Sequence, residues 1–321
     1  MSGARSQRGT NAPGLRALDG VLLLDKPAGI TSQNAVQRVR RLLGARKAGH
    51  TGTLDPLATG LLPVCFGEAT KFSHALLDSD KTYLATIRLG TTTTTGDLEG
   101  EITSAVRVGV DEPQVLAALD RFRGEIEQVP PMYSAIKHGG QPLYRLARAG
   151  KEVPRDPRRV WIRALRLLRF VLPDLEVAVT CSKGTYVRVL AEDIGRELGC
   201  GACLAALRRT GVGNIGNGAS MVTLEELEAM TEGGRNALLL PEDTLLAGLP
   251  RLDLNELEAG RLAQGQPVDP VATPAPGLVR VYGPGRKFLG MAEVVQAGRV
   301  VPRRLCRPAH MMAQPPVSSI A

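Results

Sequence analysis

No uninterrupted apolar run in this sequence approaches the roughly 20 residues that a membrane-spanning helix needs, although 43% of its residues are hydrophobic. A soluble protein is therefore expected. The leading segment MSGARSQRGTNAPG is basic and polar and lacks the apolar core of a secretion signal, so the cytoplasm is the expected compartment. Cysteine is scarce, at five residues, and in a reducing compartment these do not form a disulfide framework. Histidine is scarcer: His50, His74, His138 and His310 stand alone, with no pair at helical or hairpin spacing. One C-x-x-C, Cys200 to Cys203, has no second pair, so zinc and redox chemistry lack ligands, and packing is the expected role of these two cysteines. The nucleophile-elbow pattern G-x-S-x-G and internal repeats are also missing, although a serine-histidine-acid arrangement needs no such elbow.

What is present begins with size and charge. At 321 residues the chain is long enough for about two domains, each able to bury a core. Lys and Arg exceed Asp and Glu by 40 to 32, giving a net charge of +8, which favours a polyanionic partner. The charge is uneven: RDPRRVWIRALRLLR, residues 155–169, carries six arginines and one acid. That strip is either a nucleic-acid contact or a solvated face.

Hydrophobic patterning gives the layout. GVLLLDK at 20–26 reads as a buried strand, turned by Pro27 and Gly29, and Thr31 or Ser32 caps a helix to Leu43 with Val36, Val39 and Leu43 at helical spacing. A short apolar segment, LLPVCF, follows a broken loop. In the strand KTYLATIRLG, Tyr83, Ala85, Ile87 and Leu89 then share one face. Residues 111–124 form a helix capped by Asp111, with Pro113 in its first turn, a Val115, Leu116, Leu119 and Phe122 stripe, and Gly124 as its stop. Residues 130–150 are rich in Pro, Gly, Tyr and basic residues and weak in periodicity, which suggests an ordered insertion or a movable arm. LEVAVTC at 175–181 is a strand leading through SKG into a helix that begins near Tyr186, placing Tyr186 and Arg188 in its first turn. From about residue 249 one helix and three short apolar runs between Gly and Pro turns indicate a small β-rich domain. Both termini are expected to be disordered tails, at 1–18 and 311–321.

The loop GHTGTLDPLATG, residues 49–60, carries the most pointed chemistry. GARKAGHT, residues 44–51, nearly matches a phosphate loop, but His50 replaces its lysine and a helix precedes it where a strand should. Asp55 remains. An ionised carboxylate can act as a nucleophile at a sugar carbon, as in retaining glycosidases. It can equally cap a turn, since Asp before Pro is common turn chemistry.

These residues resemble a known family. GHTGTLDPLATG, with LDKPAGITS at 24–32, KTYLATIRLGTTTTTGD at 81–97, PPMYSAIKHGGQPLYRLAR at 130–148, SKGTYVRVLAEDIG at 182–195 and LRRTGVG at 207–213, is similar to the TruB family of tRNA pseudouridine synthases. The resemblance implies an α+β pseudouridine-synthase core over 19–248. Its central sheet is mixed, largely antiparallel and flanked by helices, and an RNA-binding arm lies at about 130–155. It implies isomerisation of a T-loop uridine of transfer RNA, position 55, with no metal or organic cofactor, no guide RNA and a monomer.

By the same resemblance Asp55 attacks the ribose or the base, or acts through a glycal-like species, close to the anomeric centre. Tyr83 stacks on the uracil, where its alternative is core packing. Arg188 pairs with Asp55 and holds it charged and oriented, where its alternative is an i to i+4 pair with Glu192. Tyr186 and Leu207 line the uracil pocket, Lys26 lies near it, His50 holds everted loop nucleotides, and Lys137 in the arm binds substrate. The region 249–310 resembles a small β-barrel-like PUA RNA-binding domain, which implies contact with the acceptor side of the tRNA.

Overall fold

The structure is a computed structural model and describes residues 15–216 and 218–307. The chain opens with β1 (Gly20–Lys26), α1 (Ser32–Leu42), β2 (Ala48–His50) and β3 (Thr59–Phe66). It continues through α2 (Ser73–Leu77), β4 (Lys81–Leu89), the small hairpin β5 (Thr91–Thr93) and β6 (Ile102–Ala105), α3 (Glu112–Arg121) and β7 (Gly124–Gln128). The arm holds β8 (Lys137–His138), β9 (Gln141–Pro142) and α4 (Leu143–Arg148), followed by β10 (Arg158–Val171), β11 (Asp174–Cys181), α5 (Val187–Glu197) and β12 (Ala202–Val212). Two short helices, α6 (Leu224–Ala229) and α7 (Glu232–Ala237), lead to the C-terminal sheet.

Eight strands form the central sheet in the order β1-β3-β12-β4-β11-β10-β7, with β2 on β3. Only β12 and β3 run parallel; every other pair is antiparallel. Strand chemistry sets the layers. In β1, Leu22 and Leu24 enter one core while Val21 and Leu23 enter a second on the opposite face, and in β3 Val64 and Leu61 divide the same way. Continuous apolar runs are thus strands covered on both faces. In β4 the burial alternates: Tyr83, Ala85, Ile87 and Leu89 are inside and Leu84 is exposed, as its pattern predicted.

Helix ends follow cap chemistry. Thr31 caps α1 by accepting from the Asn34 amide, and Asp111 and Gln114 form a reciprocal capping box on α3. Leu116 departs from the expected stripe and is exposed, its place inside taken by Ala118. Gly124, at φ +89°, opens β7 two residues beyond the cap of α3. The arginine strip is the 14-residue β10, with Val160, Ile162 and Leu165 facing inward. Two register shifts against β11 break its alternation, which hid the strand from a period-two reading.

Of the expected N-terminal tail, residues 1–14 lie outside the described residues, but Arg16 is built into the fold, bridging to Ala45. The expected tail 311–321 and residues 308–310 of the last domain also lie outside them. The C-terminal unit is a four-stranded sheet of β13 (Arg251–Asp253), β14 (Gly277–Gly283), β15 (Lys287–Val294) and β16 (Val300–Leu305), with α8 (Glu256–Ala263) against it. It has its own core of Leu262, Val279, Val281, Ala292 and Val300. Phe288 packs edge-on to Phe72 at 5.4 Å, and Lys71 Nζ donates to the Leu305 carbonyl at 3.0 Å, seating the sheet against the larger unit.

Candidate active site

The loop between β2 and β3 is held by backbone-directed side chains from three other segments. The Ser32 hydroxyl, at the first residue of α1, accepts from the Leu54 amide at 2.7 Å and donates to the Leu54 carbonyl at 2.9 Å. Lys26 Nζ, fully buried, donates to the carbonyls of Pro27 and Ile30 at 2.8 Å each and of Pro56 at 3.3 Å. Burial pushes its ammonium down to about 8, against the opposing pull of Glu99 and Asp55. Arg209 Nη2 donates to the Gly52 carbonyl at 3.1 Å, and its Nε donates to Leu61 of β3 at 2.7 Å. Gly60 has to be glycine: at φ +94° a Cβ would lie 2.3 Å from the Arg209 carbonyl, where β12 runs parallel to β3.

Asp55 makes its turn with the backbone, the Ala58 amide donating to the Asp55 carbonyl at 3.1 Å. Its side chain is left for another use. Arg188 Nε donates to Asp55 Oδ2 at 2.9 Å; Nη1 donates to the Thr95 carbonyl at 2.9 Å and Nη2 to the Tyr133 carbonyl at 2.7 Å. Asp97 Oδ2 stands 3.5 Å from the same Nε. The guanidinium and Asp97 side chains are 5% exposed each, while the Asp55 carboxylate is 39% exposed. The pair is therefore rigid at the back and open at the front. Arg188 takes Asp55 and Asp97 as ion partners rather than Glu192, which settles the helix-pair alternative. It is the second residue of α5, whose Tyr186 cap is clamped by Gln128: the Tyr186 amide donates to Gln128 Oε1 at 3.0 Å, and Gln128 Nε2 donates to the Tyr186 carbonyl at 3.3 Å.

In front of the carboxylate is a cavity of about 380 Å³ lined by Asp55, Tyr83, Tyr186, Arg188, Leu207 and Arg209. A nucleobase fits this space, between the walls of Tyr83, Tyr186 and Leu207 and the polar side chains of Asp55, Lys81, Ser134, Ser182 and Thr185. Burial raises the Tyr83 hydroxyl above its ordinary value, so it stays protonated, and burial does the same at Tyr186. A wider groove of about 1000 Å³ opens on the other side of Asp55, with His50, Asp97, Glu99, Tyr133 and Arg148 along it. Burial, then the nearby Arg209 charge, lowers the His50 imidazole. Its Nδ1 accepts from the Gly52 amide at 3.2 Å, which leaves the proton on Nε2.

The structure thus gathers Asp55, Tyr83, Tyr186, Arg188 and Leu207 around one cavity, with His50 beside it. Lys26 and Lys137 line neither space. Lys26 is under the loop as a carbonyl clamp, and Lys137 is exposed on the arm hairpin. The near-match to a phosphate loop runs into strand β2 and has no helix N-terminus to offer. Cys203 is buried in β12 and Cys200 packs against the main core, both as free thiols.

Sequence reasoning missed Asp97, Glu99, Arg209 and Lys81. Asp97, 3% exposed, also accepts from Thr95 Oγ1 at 2.6 Å. Glu99 is raised by burial first and by Asp97 second. Lys81, pushed down to about 8 by burial, lines the cavity and donates to the Leu76, Leu77 and Ser79 carbonyls. Both Asp97 and Lys81 bound the KTYLATIRLGTTTTTGD motif, so their position was visible although their partners were not.

Comparisons with known proteins agree with this geometry. Residues 40–187 match the TruB family pseudouridylate synthase N-terminal domain, 188–247 a tRNA pseudouridylate synthase B C-terminal domain, and 250–306 the C-terminal region of pseudouridine synthase II TruB. The chain is 57% identical to tRNA pseudouridine synthase B of Thiobacillus denitrificans, over 91% of this chain and 97% of the relative. It is 55% identical to the Pseudomonas aeruginosa protein of the same name, over 91% and 97%. Among solved structures, a chain in a Cbf5-Nop10-Gar1 complex superposes with a TM-score of 0.72 at 25% identity, covering 92% of this chain and 87% of that one. With these domain matches and relatives more than half identical over most of both chains, the chain belongs to the TruB family of tRNA pseudouridine synthases.

Proposed function

We propose that the protein isomerises the T-loop uridine at position 55 of transfer RNA, with Asp55 as its catalytic carboxylate, as a stand-alone cytoplasmic monomer that needs no guide RNA and no cofactor. The observation that carries this reading is the Asp55 carboxylate, 39% exposed at the edge of a base-sized cavity, with a 5% exposed Arg188 behind it. The reaction breaks the C1′–N1 bond, turns the uracil, forms C1′–C5, and moves the C5 proton to solvent while N1 gains one. Whether the carboxylate bonds to ribose, bonds to base or removes a ribose proton, it has to meet the nucleoside beside the anomeric carbon. Arg188 fixes the oxygen that does so, which is the entropic part of catalysis. Tyr83 gives the detached base a face to stay on, and Tyr186 and Leu207 close the slot in which it turns.

The target base is stacked inside a folded loop, and flipping it out costs a few kcal/mol. We assign that binding energy to the groove beside His50, to the arm bearing Lys137, Arg145 and Arg148, and to the C-terminal sheet. We read this sheet as a PUA-like unit that contacts the acceptor side. Recognition of this kind depends on loop shape, stacking and phosphates.

The test is pseudouridine formation on an unmodified tRNA transcript and an isolated T-arm hairpin, with no guide RNA present. Wild type should modify both, Asp55→Asn should modify neither while still binding, and a transcript with cytidine at position 55 should yield no product. No product from wild type would sink the enzyme reading. Product from the cytidine transcript would move the target elsewhere, and an active Asp55→Asn would remove the role given to Asp55.

A further inference from the structure

The arginine strip of β10 is not used by the cavity chemistry, and it carries the only tryptophan in the chain, Trp161, which is 43% exposed. The neighbouring inward positions, Val160 and Ile162, are 2% and 1% exposed, so the indole is turned out by strand alternation and not by lack of a core. Arg163 lays its guanidinium over the indole, 5.1 Å from the ring centroid. Exposing the largest apolar side chain with a cation stacked on it is costly for a bare surface. It is a common arrangement where bases and phosphates are received.

Position ties this platform to the site. Both backbone polar groups of Trp161 are bonded to Ser182: the Trp161 amide donates to Ser182 Oγ at 2.9 Å and the Ser182 amide donates to the Trp161 carbonyl at 2.8 Å. Ser182, Gly184 and Thr185 line the cavity with Asp55, so the backbone that carries the indole is bonded directly to the cavity wall. Arg163 pairs with Asp80 at 3.3 Å and Lys183 with Asp78 at 2.8 Å. Ion pairs this exposed hold their partners weakly and yield to a phosphate. At the same end of the strand, Arg159, two residues before Trp161, is exposed on the face that carries the indole, while Arg158 lies on the face of Val160. Arg159, Trp161 and Arg163 therefore share one face of β10, an aromatic plane flanked by cations beside the strand end that lines the cavity.

We propose that Trp161, with Arg163 and Lys183, is a stacking platform for an unpaired nucleotide of the substrate RNA next to the everted uridine. It rests on the RNA-modifying reading above and adds a second place where the RNA is gripped. Trp161 is a binding residue: it holds the strand and takes no part in the chemistry.

The single tryptophan is its own reporter. Full-length Asp55→Asn protein is titrated with unmodified tRNA while indole emission is followed, and binding is measured in parallel by filter retention. Emission should fall with the same midpoint as binding. Trp161→Ala should weaken RNA affinity about tenfold, within the range for loss of one base-aromatic stack, and should raise KM with kcat unchanged, while Trp161→Phe restores most of the affinity. If RNA is retained but emission does not change and Trp161→Ala binds like wild type, the platform is refuted and the proposed function stands. If wild type retains no RNA, both fail together. A Trp161→Ala protein with lowered kcat and normal affinity would also overturn the assignment, because that pattern belongs to a structural role in the cavity wall.

Discussion

The loop around Asp55 and the arm at 130–150 both line the groove beside His50, yet they are built in opposite ways. The loop is tied by Lys26, Ser32, Arg188 and Arg209, and most of its anchors are buried. In α4 of the arm Leu143 alone is buried, and Lys137 and His138 stand in solvent. The Arg188 guanidinium bonds both, the Asp55 carboxylate in the loop and the Tyr133 carbonyl at the root of the arm. Chemistry needs a carboxylate held to a fraction of an ångström, whereas RNA capture needs reach and charge. The same chain supplies rigidity in one place and leaves it out in the other.

Breaking the rigid side should cost most. Arg188→Ala removes the partner of two carboxylates and two carbonyls, a loss of about 3 kcal/mol or more, equivalent to over about a hundredfold in single-turnover rate. Lysine will not restore it, because one ammonium cannot span the same acceptors. A rate within threefold of wild type would show that the network does not position Asp55. Asp97→Asn keeps the shape and removes a charge behind Arg188, and about a tenfold slower rate with normal RNA affinity is expected. Weaker RNA binding at an unchanged rate would place Asp97 with the RNA-gripping groups instead.

Lys26 gives a smaller, pH-dependent effect. Burial sets its folded value at about 8 against an ordinary 10.5. Between those values the unfolded chain binds more protons, so this site adds stability as pH rises from about 8 to about 10.5 and is flat below. Denaturant midpoints at about pH 7.5 and about pH 9.5 should therefore differ by more in wild type than in Lys26→Met. Equal differences would mean that the clamped ammonium keeps its proton over this range. On the arm, Lys137→Ala is the mildest change. RNA affinity should fall about threefold, with a melting temperature unchanged, as for surface substitutions generally. A lowered melting temperature would make the arm part of the rigid body and erase the contrast.

Much of this was legible in the residues. The runs in β1 and β3, the alternation in β4 and the caps of α1 and α3 are local physics, and local physics was enough to read them. β10 was not read as a strand because its two register shifts break the alternation. Lys26 was placed near the substrate, but its ammonium is turned under the loop, where the carbonyls of Pro27, Ile30 and Pro56 accept from it.

The sequence by itself determined a basic chain with one aspartate in a loop broken by Gly and Pro, and it named Asp55, Tyr83 and Arg188 within motifs in a fixed order. It could not decide what each side chain would touch. Asp55 caps no turn with its carboxylate because Arg188, 133 positions away in sequence, arrives at 2.9 Å once β12 has slotted between β3 and β4 and α5 has packed on the sheet. Asp97 reaches that same guanidinium from 91 positions away in sequence. Electrostatic partners are chosen by distance in space, and distance in space exists only after the core has closed.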